Sequence, residues 1–155
     1  MLRPLTIASV LLVALLAGCG GSATKEEFRE DALAARNETD AGLAQIVQAT
    51  SVDDLLARMR IAASRVRAAS TDLGDADAPD DLEDARDALA RRLLALSGEI
   101  VKTVETLELF PDQAALTSAL NFEEWNAVQA ELTKLRALGV AVPLLERHKP
   151  EPVRQ

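Results

Sequence analysis

The chain has 155 residues, enough for one domain with its own core, and a formal net charge of −8. Such acidity excludes nucleic-acid binding through phosphate neutralisation and gives no attraction to an anionic bilayer. A single cysteine and a single histidine allow no internal disulfide and argue against zinc, di-iron or other cofactor chemistry.

Arg3 gives the N-terminus a small positive charge, and Leu5 to Leu16 is apolar apart from Thr6 and Ser9. That run is too short to cross a hydrocarbon core of roughly 30 Å, but it suits the apolar part of an export signal. Ala17 and Gly18 supply the small side chains a signal peptidase requires, and Cys19 comes directly after them. Leu16-Ala17-Gly18-Cys19 resembles the lipobox of bacterial lipoproteins with a type II signal peptide. The resemblance implies cleavage between Gly18 and Cys19, with a diacylglyceryl group on the Cys19 sulfur carrying fatty chains such as palmitate. It also implies tethering to the extracytoplasmic face of a cell membrane, since two acyl chains hold firmly where one holds marginally. Residues 1–18 are then the signal peptide, and 19–24 the lipidated cysteine and a short Gly/Ser tether. Removing 1–18 takes away Arg3 and no acid, so the remainder relies on its lipid for contact with the membrane.

Ala, Leu, Asp, Glu and Arg dominate the chain beyond the tether, a helix-forming composition. Thr24-x-x-Glu27 is a capping-box pattern and predicts a first helix from Lys25 to about Thr50, with Phe28, Ala32, Ala35, Leu43, Ile46 and Val47 inward. Lys25-Glu26-Glu27-Phe28 is similar to the opening of small helical lipoproteins of actinobacteria. Many of those carry a cysteine shortly after the Phe, where this chain has Ala35. Ser51-x-x-Asp54 repeats the capping pattern. Val52, Leu55, Met59, Ala62, Val66, Ala69 and Leu73 then step by three and four, the stripe of a second helix. It fits either an internal core or self-association, and Gly74 is expected as its left-handed C-cap. Pro79 favours a third helix starting just after it, carrying Leu82, Ala85, Leu89, Leu93, Leu96, Ile100, Val104 and Leu107 inward and stopped by Phe110-Pro111. Asp112 and Asn121 are both credible N-caps, so 113–138 reads as one kinked helix or as two. Phe122, Trp125, Val128, Leu132 and Leu135 form its stripe, closed by Gly139. Val140 to Leu145, broken by Pro143, is either a strap across the bundle or an exposed recognition segment.

The acidic run from Asp72 to Asp87 contains Asp75, Asp77, Asp80 and Asp81, oxygen ligands in a spacing that could reach Ca2+. It lacks the mid-loop glycine and closing Glu of an EF-hand, and acids in a first helical turn are favourable without any ion. Arg58, Arg60, Arg65 and Arg67 on the second helix could contact an anionic ligand, but pairing with carboxylates is the stronger expectation, Asp54 being one turn from Arg58. His148 sits in Arg147-His148-Lys149-Pro150, within a tail (146–155) that Pro150 and Pro152 mark as disordered. A catalytic or metal role would need a held geometry there.

These readings predict an all-α protein, an antiparallel bundle of about four helices over 25–145. The function expected is a membrane-anchored envelope lipoprotein, a non-catalytic helical module that contacts another envelope protein. The alternative is a lipoprotein that binds a solute or divalent cation in an inter-helix cavity or in the 72–87 loop.

Overall fold

In the computed structural model, which describes residues 23–113 and 121–148, the chain enters its first helix through the capping box set by Thr24 and Glu27. The Glu27 amide donates to Thr24 Oγ1 at 3.2 Å, and the Thr24 amide donates to the Glu27 carboxylate at 2.8 Å. Helix α1 spans Lys25–Ile46, shorter than expected. Asp54 explains the early end: its carboxylate accepts the Thr50 amide at 3.0 Å, which draws Thr50 into the cap of the next helix. Arg58 meanwhile donates to the Gln45 carbonyl at 3.3 Å.

Helix α2 spans Val52–Asp75, and Ser51 Oγ accepts the Asp54 amide. The Thr50 amide, followed by the Arg58 side chain, holds the Asp54 carboxyl below its ordinary range, and the Thr24 amide does the same for Glu27. A depressed carboxylate stabilises the fold above its unfolded-state pKa, and that contribution is lost as pH falls through the native value. Asp54→Asn should therefore melt below the wild type at neutral pH. The gap should close on acidification below about pH 4, and a gap unchanged by pH would refute the charge's role.

The α2 stripe from Leu55 to Leu73 is buried, while Val52 at its start is 37% exposed. Ala63 and Ser70 are also buried, so α2 faces a neighbour on each side: α1 and α3. The stripe is spent on the internal core. Small residues allow both approaches. A Cβ on Gly42 of α1 would stand 3.4 Å from Ala62 Cα. Ser97 of α3 donates to the Ala63 carbonyl at 2.8 Å, and Ser70 donates to the Ala90 carbonyl at 2.7 Å.

Gly74 is not the C-cap. It lies inside α2 with its missing side chain toward Ala90, and the helix ends at Ala76 in extended backbone. Arg86 donates to the Ala76 carbonyl at 2.9 Å. The Leu82 amide closes a turn on Pro79, and α3 then runs from Glu83 to Leu109, ending at Phe110-Pro111 as predicted. Its inward residues from Leu89 to Leu107 are buried, with Leu82 at its N-cap fully so. A single 3-10 turn covers Pro111–Gln113 and contains Asp112. Residues 114–120 lie outside the described residues, and with them the choice between one kinked helix and two.

Helix α4 spans Glu123–Ala137, with Phe122 rather than Asn121 at the N-cap position. No side chain of its own caps it. Glu99 of α3 reaches across, accepting the Glu123 amide at 2.8 Å and the Glu124 amide at 3.0 Å. A carboxylate on two free amides at a helix N-terminus suits both the hydrogen bonding and the dipole. Glu99→Ala should cost about 1–2 kcal/mol in urea denaturation, and an unchanged midpoint would show that water caps α4 as well.

Gly139, with φ 89°, closes α4 as predicted. The Gly139 amide bonds to the Arg136 carbonyl and the Val140 amide to Leu135, the paired bonds of a Schellman motif. The chain then crosses the bundle in non-helical form. Val140, Val142 and Leu145 are buried, which settles the 140–145 segment as a strap. Gln129 of α4 grips Leu145 at both backbone groups, 2.9 Å each. From the other side Arg36 of α1 donates to the Leu144 carbonyl, its Nε at 3.0 Å. The extended helix contacts are α1–α2, α2–α3 and α3–α4, so the strap fills the seam left between α1 and α4. Ordered packing continues past the expected boundary at 145. The Glu146 amide donates to Asp40 at 2.8 Å, and Arg147 lies over the Trp125 ring at 5.0 Å. Residues 149–155 of the expected tail are outside the described residues. The fold is the all-α helical bundle that the sequence predicts.

Candidate functional site

Gly18 and Cys19 lie outside the described residues. The chain comes into view at residue 23, and Lys25 fixes its point of entry. Lys25 Nζ is 2.9 Å from the Asp81 carboxylate and 3.5 Å from the Leu138 carbonyl. The start of α1, the α2–α3 turn and the end of α4 therefore share one pole. No described helix is long and apolar enough to cross a membrane.

The acidic α2–α3 turn is at that pole. Asp75, Asp77, Asp80 and Asp81 are all exposed. Asp81 pairs with Lys25, and the nearby Asp87 pairs with Arg86. Among the described residues, these four do not bring three ligand atoms together. The arginines divide. Arg58 pairs with Asp54 at 2.8 Å and Arg60 with Glu108 of α3, whereas Arg65 and Arg67 make no ion pair among the described residues. Arg60 and Arg67 border a surface hollow of about 230 Å3 with Ser64 and Val101. A second hollow, about 420 Å3, runs along the strap beside Arg136, Pro143 and Leu144.

Phe122 is buried and Trp125 half-buried against the core, as their helical spacing predicts. His148 departs from the disordered tail that Pro150 and Pro152 predict: its side chain is 17% exposed and its Nε2 lies 3.2 Å from Asp40 Oδ1 on α1. That nitrogen is closed to solvent and forms no hydrogen bond among the described residues. Asp40, Glu146 and His148 each offer a ligand atom within 4.8 Å of the other two. Sequence reasoning missed Asp40 and Glu146 because they stand 106 positions apart and share no local pattern.

The polar interior is otherwise spent on the fold. The buried hydroxyls of Thr39, Ser70 and Ser97 all donate to backbone carbonyls. No family model, curated protein or solved structure matches the chain.

Proposed function

We propose that the protein is a membrane-tethered lipoprotein of the bacterial envelope whose bundle acts as a non-catalytic interaction or structural module. The observation that carries this reading is Leu16-Ala17-Gly18-Cys19 at the end of a short apolar run. Its spacing from the fold supports it: only five residues, Gly20 to Thr24, separate Cys19 from the first residue of α1. An acidic chain gains nothing from an anionic bilayer by charge, so a covalent lipid is the means of attachment. Another envelope protein is the partner this reading requires.

Cys19→Ala should abolish incorporation of labelled fatty acid and move the protein from the membrane fraction to the soluble fraction. Labelling that persists in the variant would overturn the assignment. Co-purification of the lipidated protein with an envelope partner tests the second half of the reading.

A further inference from the structure

The seam between α1 and the strap brings together three side chains that the lipoprotein reading does not use. Asp40 projects from α1, and Glu146 and His148 from the end of the strap, all within ligand-sharing distance. Asp40 and His148 are mostly buried, with side chains 13% and 17% exposed. Although His148 Nε2 is only 3.2 Å from Asp40 Oδ1, the two are not hydrogen-bonded, and water does not reach the nitrogen. Two ligands of a tetrahedral ion, with bonds of about 2.0–2.2 Å, stand roughly 3.4 Å apart, and neither points at the other. The pair has that separation without forming a hydrogen bond.

The surrounding charges leave room for a cation. Arg36 is the nearest positive group, 3.7 Å from Asp40, but it lies on Oδ2, and its Nε and Nη2 are engaged with the Leu144 carbonyl. Oδ1, the oxygen facing His148, is left on the other side and accepts only the Glu146 amide. Arg147 lies over the Trp125 ring. Two carboxylates face the site against one guanidinium before any ion enters.

We propose that Asp40, Glu146 and His148 form a binding site for a divalent transition ion of the zinc type. An imidazole nitrogen with two carboxylate oxygens suits Zn2+, Co2+ or Ni2+ better than Ca2+ or Mg2+, which favour all-oxygen shells. Three protein ligands leave a position for water. Bound there, the ion staples the end of the strap to the middle of α1 and supports the fold directly.

The test titrates the metal-free full chain in detergent with Co2+, read by its visible absorption, followed by displacement with Zn2+. One Co2+ per chain is expected, with the spectrum of a low-coordinate nitrogen–oxygen site and full displacement by Zn2+. Zn2+ should also raise the melting temperature by about 5 °C or more. His148→Ala and Asp40→Asn should weaken binding by at least about tenfold. Should either variant unfold, Glu146→Gln replaces it, because the exposed Glu146 supports the fold through its backbone amide. No binding at high-micromolar Zn2+ would overturn the proposal. So would binding undiminished in the His148 and Glu146 variants, which places the ion elsewhere on this acidic chain.

Discussion

Ending the chain at Gly139 should open the bundle between α1 and α4 and remove about 5 kcal/mol of stability. The truncation strips three nearly fully buried side chains, Val140, Val142 and Leu145, from the core. Burying an aliphatic side chain of this size contributes about 1.5–3 kcal/mol, an upper estimate for a denatured chain that already buries some surface. It also orphans the Gln129 amide, which holds Leu145 at both ends, and the Arg36 guanidinium, which holds the Leu144 carbonyl. Domains of this size have only about 5–15 kcal/mol in total, so the truncated chain should be marginal or unfolded. Chemical denaturation followed by far-ultraviolet circular dichroism measures the loss. Trp125, the one tryptophan, lies under Arg147 and reports locally on whether the strap is docked. A midpoint unchanged by truncation would mean that α1 and α4 hold without the strap. Val142→Asp tests the same contact with a single side chain.

Gly42→Ile should cost about 3 kcal/mol, for a reason opposite to the usual account of a helical glycine. Glycine inside a helix is unfavourable by about 1 kcal/mol relative to alanine, and the sequence alone marks Gly42 as a weak point of α1. In the fold it is buried where α1 lies against α2, with Ala62 Cα 3.4 Å from the position a Cβ would take and the Ala62 carbonyl oxygen 3.6 Å away. Both neighbours are backbone and cannot rotate aside. A lone methyl fits at ordinary contact distance, so Gly42→Ala should be neutral or mildly stabilising. A β-branched side chain adds atoms with no room and forces the helices apart, the overpacking that commonly costs about 1–3 kcal/mol. The two variants should therefore shift the denaturation midpoint in different directions or by very different amounts. Equal effects would show that helix propensity, not the α1–α2 approach, governs this position.

The elements set by local chemistry were legible in the sequence. Thr24 and Ser51 announced their helices because their partners lie three residues away. The stripe from Leu55 to Leu73 was readable because a helix repeats its buried face at a fixed spacing. What failed was decided at long range. Gly74 has the composition of a C-cap, but α2 runs past it to extended backbone at Ala76, whose carbonyl accepts from Arg86 of α3, whereas Gly139 takes the left-handed turn that closes α4. Asn121 looked like a cap because nothing nearby in sequence revealed that Glu99 would reach the α4 amides from α3. His148 was misplaced for the same reason: two prolines nearby describe local stiffness, and its contact with Asp40 is a property of the closed seam. The Asp40–Glu146–His148 grouping had no motif to betray it, while the acidic run from Asp72 had a suggestive one and does not converge.

The seam also orders events in time. The α1–α2 and α2–α3 contacts join neighbours through short turns, and such local pairings form early. The contacts that close α1 against the end of the chain span 106 to 113 positions, from Asp40 to Glu146 and from Lys25 to Leu138. Those loops cannot shut until residues 138–148 have been synthesised. A chain interrupted before them would present the faces of α1 and α4 that the strap otherwise covers.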